Sequence, residues 1–291
     1  MTNRIELNWT LDYKVDEQRY YCSETPIDQA NPPPPKAILA GDVRTYTDSL
    51  IDVGKTYYII VSAVKNGIEK ISSSIHINST TYKDFILQHN PIAYYPLNEE
   101  TGTVAIDVTN NPANGTITNC LLGQTGLSNN LGKCYYFNGT AKIVLNNSSK
   151  FWISGSITYE TWFKGTITGG NSIAIGYNSG LRIQIAGSIN VIFNNANQLS
   201  SPPLTNNTLY HIVVVCTSSN LKIYVNGTLV TSSSTTAWTG MQSIVTPTIG
   251  SSGSENHGGE PITGYISNSA LYDYELTQEQ ISAHYNLGIA F

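Results

Sequence analysis

The sequence has few charged residues and no cluster of basic ones. Only 12% of its 291 residues are charged, about half the usual share, and the net charge is −5. A protein that binds nucleic acid needs a basic patch to displace counterions from phosphates, so we predict no nucleic-acid partner. No apolar run approaches the length of a membrane span either, so we predict no membrane insertion.

Cysteine is scarce, and its four copies have neither metal-binding nor redox spacing. Cys216 lies inside an apolar run and is predicted to be a buried free thiol. Cys120 and Cys134 stand where neighbouring strands would bring them together, and the sequence leaves it open whether they pair. The first residues lead directly into an alternating strand without an apolar leader, so no signal peptide is predicted.

In place of charge the chain is rich in Ser, Thr, Asn and Gly, and it has 19 Tyr. This composition suits half-buried pleated strands joined by tight turns, and it suits long helices poorly. The length is about twice that of a typical domain. We therefore predict an all-β protein of two domains, covering residues 1–78 and 79–291.

The predicted first domain, residues 1–78, opens with an amphipathic strand. Ile5, Leu7 and Trp9 alternate with polar residues, and residues 51–63 repeat apolar positions at period two after a glycine. These features resemble a fibronectin type III module, which is a small immunoglobulin-like sandwich, with its first strand short or missing. The resemblance implies a spacer or docking module. We expect the uncovered edge at Ile5, Leu7 and Trp9 to contact other proteins.

Residues 79–291 are framed by two helix signals. A Thr cap followed by Asp84 predicts a short helix to about Gln88, and Thr277 caps a closing helix that Gly288 ends. Between them lie twelve short alternating segments, with hairpin turns predicted at Asn138-Gly139 and Asn226-Gly227. So many strands without intervening helices predict antiparallel sheets stacked face to face.

The order of these segments resembles the LamG type of concanavalin A-like domain, found in lectins and glucanases. The matching stretches are Asn90–Glu99, Ala105–Asp107, Asn114–Thr116, Tyr136–Gly139, Ile157–Lys164, Tyr210–Val214, Leu221–Leu229 and Gly264–Ile281. The resemblance implies that the second domain is a jelly-roll sandwich with a carbohydrate-binding role.

Because this superfamily contains glucanases, we asked whether any two carboxylates have the spacing of a glycosidase active site. Retaining glycosidases place two carboxyl groups about 5 Å apart, which on one strand means acids at i and i+2 or i+4. Glu160 is the best strand candidate, but Trp162 and Lys164 occupy its partner positions. Asp273 and Glu275 have the right spacing but stand at a strand exit, where solvated acids are expected. We predict no catalytic residues and no enzyme activity.

Loop residues are the candidates for sugar contacts, because a lectin site needs an exposed aromatic face and a few amides or hydroxyls. The predicted ligand-binding residues are Trp238, Tyr177, Asn178, His257 and Glu260. Trp238 lies in a polar loop, and the alternative for it is packing against a neighbouring loop or subunit. Trp152 and Trp162, at strand edges or on strands, are predicted to pack in the core.

Asp107 is the candidate metal residue. It is the one carboxylate at a family-typical position, and a Ca²⁺ site needs several converging oxygens. Capping the following turn is the alternative role for Asp107. Asn138 and Asn268 stand where the family often has Asp, which removes potential ligands. We therefore predict no cofactor, with Ca²⁺ at Asp107 as the alternative.

These properties combine into a prediction of function. Such domains usually act outside cells, whereas this sequence has no export signal, and phage virion proteins satisfy both conditions. The predicted protein is a non-catalytic phage virion surface protein (tail, baseplate or capsid decoration), assembled in the bacterial cytoplasm. Its predicted partners are host-surface glycan, other virion proteins and further copies of itself. The alternatives are a purely structural decoration protein and a bacterial surface adhesin fragment.

Overall fold

The computed structural model describes residues 4–52, 55–78, 80–146, 149–167, 171–174, 181–193, 196–234, 238–241, 247–251 and 261–289. Contacts divide the chain into two compact units, Met1–Thr81 and Tyr82–Phe291. Both units are built from antiparallel strands, and the predicted all-β sandwich fold is confirmed. No helix in the described ranges is long and apolar enough to cross a membrane.

The first unit has two sheets with a small core between them. Its strands are β1 (Ile5–Asn8), β2 (Glu17–Ser23), β3 (Ala37–Ala40), β4 (Thr45–Asp48), β5 (Thr56–Lys65), β6 (Ile68–Ile71) and β7 (Ile75–Asn78). β1 pairs with β4, and the larger sheet has the order β3-β2-β5-β6, with β7 also on β5. The buried core consists of Ile5, Tyr20, Ile51, Tyr57 and Ile59.

The predicted return strand of the first unit is two strands. β6 starts at the predicted Asn66-Gly67 turn, where φ is 51° and 76°. Ile71 pairs with Ser62 and Ile75 pairs with Ile59, so three residues oppose two of β5. This extra residue is a β-bulge that divides the strand.

The second unit begins and ends with a helix. Its elements are α1 (Tyr82–Gln88), β8 (Ala93–Tyr95), β9 (Val104–Ala105), β10 (Gly115–Thr118), β11 (Leu121–Gln124), β12 (Cys134–Asn138), β13 (Lys142–Leu145), a 3₁₀ turn (Ser149–Phe151), β14 (Ile157–Gly165), β15 (Asn171–Ala174), β16 (Arg182–Ile185), β17 (Ile189–Phe193), β18 (Ala196–Ser200), β19 (Leu209–Cys216), β20 (Leu221–Val225), β21 (Thr228–Ser233), β22 (Thr248–Ile249), β23 (Thr263–Tyr272) and α2 (Gln278–Ile289). The large sheet has the order β11-β12-β23-β14-β19-β20-β21, with β8 also on β23. The smaller sheets are β22-β13-β10-β9 and β15-β16-β17-β18.

The large sheet is buried on both faces. Tyr159 and Phe163 of β14 point into the core shared with the smaller sheets. Trp162 points the other way, into a second core with Tyr82 of α1 and Ile281 of α2. The two helices therefore cover the face of the sheet that the smaller sheets leave free.

The predicted helices and strands of the second unit are present in the described residues, except that α2 continues through Gly288 to Ile289 instead of ending at Gly288. The N–H of Gln280 donates to the Thr277 hydroxyl while the Gln280 side chain accepts from the Thr277 N–H, which is the expected capping box. The predicted Asn138-Gly139 hairpin is wrong, because β12 and β13 lie in different sheets. Asn138 instead accepts from the N–H of Thr140, and the turn carries the chain across the sandwich.

All four cysteines are free thiols. Cys216 is buried, as predicted. Cys134 donates to the Thr125 carbonyl at 3.1 Å, and burial raises its pKa to about 11. Cys120 and Cys134 form no disulfide.

Candidate functional site

Asp107 organises the loop between β9 and β10. Its buried carboxylate accepts hydrogen bonds from the backbone N–H groups of Tyr94 (3.1 Å), Thr109 (3.1 Å) and Ala113 (2.8 Å). The Thr109 hydroxyl donates to it as well, at 2.8 Å. This geometry corresponds to the turn-capping role that the sequence offered as the alternative for Asp107.

The cation beside Asp107 is an ammonium group of the protein itself. Lys150 Nζ lies 2.5 Å from Asp107 Oδ2 and 2.5 Å from the carbonyl oxygen of Asn111. Burial would raise the pKa of Asp107, but Lys150 and the backbone donors outweigh it and hold that pKa below its usual value. Within the described ranges, no group of three or more His, Cys, Asp or Glu side chains could hold a metal ion.

Next to this ion pair lies a cleft of about 390 Å³. Its apolar lining comes from Leu87, Pro91, Ile92 and Val108, and its polar lining from Asn90, Thr109, Asn110, Asn111 and Lys150. In the part of the chain that the structure describes, the side-chain amides of Asn90, Asn110 and Asn111 make no hydrogen bond. Free amides beside an apolar floor of this size suit one sugar ring, which offers hydroxyls on its edge and C–H groups on its face.

The Asp107–Lys150 pair gives a first testable prediction. Lys150→Met should lower the free energy of unfolding of the second unit by about 2 kcal/mol, because a buried carboxylate loses its charged partner but keeps its backbone donors. Urea unfolding followed by tryptophan fluorescence measures this loss. Lys222→Met is the matched control, since Lys222 pairs with Glu275 nearer the surface. Equal losses in both variants would contradict the role assigned to Lys150.

Comparison with known proteins identifies the family of the second unit. The family model "Laminin_G_3: Concanavalin A-like lectin/glucanases superfamily" matches residues 137–282, half of the chain. The chain belongs to this superfamily. Comparison with curated protein sequences gave no match.

Solved structures share the fold of the concanavalin A-like chain at low sequence identity. The botulinum neurotoxin serotype D/C VPI 5993 binding domain has a TM-score of 0.52 and 16% identity, over 69% of this chain and 53% of that one. A botulinum neurotoxin DC binding domain in complex with SialylT has a TM-score of 0.51 and 15% identity, over 68% and 51%. A Trypanosoma rangeli sialidase mutant displaying trans-sialidase activity has a TM-score of 0.51 and 13% identity, over 81% of this chain and 44% of that one. The chain thus spans about half the length of these proteins.

Two tryptophans of the concanavalin A-like domain lie in environments opposite to those predicted. Trp238 is 5% exposed, packs edge-on against Phe193 and donates from Nε1 to the Gly155 carbonyl at 2.9 Å. Stacking on a sugar would require an exposed ring, and the Trp238 ring is buried. The structure instead shows the alternative, packing against a neighbouring loop. Trp152, predicted to be in the core, is 54% exposed. That prediction is wrong, because Trp152 follows the 3₁₀ turn at the edge of the sandwich.

The other predicted ligand residues of the concanavalin A-like domain, Tyr177, Asn178, His257 and Glu260, lie outside the described residues. Asn268, noted in place of Asp, has a structural role. Its Oδ1 accepts from the Tyr94 hydroxyl, and its Nδ2 donates to the Leu131 carbonyl. It adopts φ 53° at the irregularity between β14 and β23, a conformation that Asn tolerates better than most residues.

Glu160 lies at the centre of a buried polar cluster on the helix-covered face of the large sheet. It is 1% exposed, accepts from the Tyr272 hydroxyl at 2.8 Å, and lies 2.8 Å from His284 Nδ1. His284 Nε2 in turn lies 2.9 Å from Nδ1 of the half-buried His89. His211 Nε2 is 3.4 Å from Glu160 Oε2, a contact too poorly aligned to be a hydrogen bond.

The charges of this cluster follow from its burial. Burial opposes the charge on Glu160, but the His284 and His211 rings outweigh it and hold the pKa of Glu160 well below its usual value. Burial lowers the pKa of His211 and of His89. The Glu160 carboxylate is thus ionised and enclosed by its partners, and it has no exposed surface that a substrate would reach.

The cleft asparagines and the histidine cluster were both missed from sequence. The cleft had a usable signal, since Asn90-Pro91 and Asn111-Pro112 mark turns on either side of one strand region. The histidine cluster had none. His89, His211 and His284 are far apart in sequence, and only the stacking of both helices on β14 and β19 brings them together.

Proposed function

We propose that the chain is a non-catalytic protein that binds glycan in the cleft formed by Asn90, Asn110 and Asn111. The observation that carries this proposal is the set of unpaired amides beside an apolar floor, in a domain of the concanavalin A-like superfamily. Amides that donate and accept at fixed positions match the alternating hydroxyls of a sugar. The enclosure of Glu160 supports binding without hydrolysis.

The wider proposal is a phage virion surface protein. The first unit, proposed to be fibronectin type III-like, attaches to other virion proteins, and the second unit contacts host-surface glycan. Support comes from the pairing of these two kinds of domain and from the uncovered β1 edge of the first unit. A purely structural decoration protein is the second candidate, favoured by the burial of Trp238, and a bacterial adhesin fragment is the third.

A glycan array probed with the full chain tests the proposal. Sialylated glycans are the first class to include, because two of the compared structures are named for a sialyl ligand and a sialidase. The glycan retained best is then titrated by calorimetry against the double variant Asn110→Ala, Asn111→Ala. Affinity should fall about tenfold or more, because each lost hydrogen bond contributes about 1 kcal/mol.

Asn129→Ala is the matched control for this titration. Asn129 is exposed in the same unit and does not line the cleft. Its affinity should equal that of the unaltered chain. An array on which no glycan is retained would support the structural alternative, and equal losses in both variants would place the site elsewhere.

A further inference from the structure

The first unit contains a groove of about 650 Å³, larger than the cleft of the second unit. One wall is the loop Trp9–Val15, and the other is the hairpin of β5 and β6. Two of its apolar side chains are far more exposed than core residues, Tyr13 at 78% and Ile68 at 68%. An apolar groove left open in so small a unit indicates a binding surface.

The strand next to this groove has a free hydrogen-bonding edge. β1 pairs with β4, with Leu7 opposite Tyr46, and the N–H of Trp9 donates to the Arg44 carbonyl. In an antiparallel pair, alternate residues direct their N–H and C=O groups to the same side. The backbone groups of Glu6 and Asn8 therefore point away from β4, and no strand in the described residues pairs with them.

The groove begins where β1 ends, because Trp9 and Thr10, which directly follow β1, line it. Asp48 of β4 accepts from the Tyr20 hydroxyl on β2 and pairs with Lys36 just before β3. β4 thus lies towards the β3 side of the larger sheet. The opposite side of β1 lies towards β6, whose residues Ile68 and Ile71 line the groove.

Two lysine side chains stand beside the apolar surface of the groove. Lys65 and Lys70 line it, and neither forms an ion pair within the described ranges. Asp12 is the one acidic residue among the lining residues. A partner segment with acidic residues would complement this charge.

We propose that the edge of β1 and the groove together bind an extended strand from another protein, with alternating apolar residues and acidic flanks. Its backbone pairs with Glu6 and Asn8, and its inward side chains fill the space beside Ile68. This is recognition by strand addition, in which the backbone gives affinity and alternate side chains give specificity. The inference rests on the attachment role proposed above for the first unit and names the chemistry of the partner.

The test uses the full chain and a fluorescein-labelled peptide that alternates valine with threonine and has glutamates at both ends. Fluorescence anisotropy should show binding at least tenfold tighter than that of the same peptide with prolines in place of the threonines. Glu6→Pro removes a donor that points away from β4 and spares the β1–β4 hydrogen bonds, so it should weaken binding tenfold or more. Ile68→Asp should do the same.

Ile38→Asp is the matched control, because Ile38 is 61% exposed on β3 and does not line the groove. It should bind the peptide like the unaltered chain. Glycan binding should be unchanged in all three variants, which separates this inference from the proposed glycan site. Absence of peptide binding, or an equal loss in Ile38→Asp, would overturn the inference. A dimer in sedimentation that Glu6→Pro dissociates would also overturn it, because the occupant would then be a second copy.

Discussion

Glu160→Gln should lower the free energy of unfolding of the second unit by about 3–5 kcal/mol at pH 7. The carboxylate accepts from Tyr272 and contacts the rings of His284 and His211 in a site closed to water. Glutamine keeps the shape but loses the charge, and its amide group presents donors to partners that also donate. A buried polar cluster in which one member is mismatched is less stable than either a complete cluster or an apolar one.

Denaturant unfolding followed by tryptophan fluorescence reports on this change. Trp152, Trp162 and Trp238 all lie in the second unit, so its transition dominates the signal. Glu275→Gln is the matched control, because the Lys222–Glu275 pair is partly exposed and contributes less than about 1 kcal/mol. Similar losses of unfolding free energy in the two variants would show that the buried cluster stabilises the second unit no more than the surface ion pair does.

The pH dependence of stability adds a second readout. Burial lowers the pKa of His211 and His89 in the fold. The two neutral rings contribute fully to the free energy of unfolding above the histidine pKa of the unfolded chain, about 6.5. This contribution is lost as the pH falls towards their lower pKa in the folded chain, because the unfolded chain binds protons first. The Glu160 contribution is complete above about 4.3 and is lost below it. In Glu160→Gln the loss below pH 4.3 should shrink, while the loss below pH 6.5 should deepen because no carboxylate favours a charged His211.

Trp238→Ala should cost about 3–5 kcal/mol, the usual range for a buried large aromatic. Its ring fills the space beside Phe193, and its Nε1–H satisfies the carbonyl of Gly155. Alanine leaves a cavity there and removes a part-buried hydrogen bond. Thermal and denaturant unfolding of the full chain both measure the loss.

Trp152→Ala is the control for Trp238→Ala, because both variants replace a tryptophan by alanine. Because Trp152 is 54% exposed, its removal should change stability by less than about 1 kcal/mol. If Trp152→Ala weakens glycan binding without lowering stability, its ring contacts the ligand. A large stability loss in Trp152→Ala together with a small one in Trp238→Ala would reverse the assignment of the two side chains.

The strands of the second unit were predictable where burial left a clear pattern. Within the described residues each of the twelve predicted segments contains a strand, whereas β9, β10, β11 and β18 were missed. β9, β11 and β18 lie at the ends of their sheets, where one missing neighbour lowers the demand for apolar residues. Edge strands such as Ala196–Ser200 therefore read as polar loops.

The site was less predictable than the fold, because exposure depends on contacts between distant segments. A polar loop context suggested that Trp238 is exposed, yet it is Gly155, 83 residues earlier, that accepts its indole N–H. Trp152 stands between apolar neighbours, and nothing local shows that the sandwich ends there. Asp107 is an intermediate case, in which its turn-capping role was foreseeable and its partner Lys150 was not.

The covering of one sheet face by both helices has a consequence for biosynthesis. α1 is synthesised before the large sheet and α2 after it, and the two helices meet over β14, where the Tyr82 hydroxyl accepts from the Trp162 indole and His89 contacts His284. The chain emerges from the ribosome with its N-terminus first. All strands of the large sheet therefore emerge before α2, which covers one of its faces. Nascent chains that stop before residue 278 would leave an apolar face of the sheet exposed to solvent. Chaperone binding to the nascent chain should therefore be strongest once the large sheet has emerged, and it should fall when α2 covers the sheet.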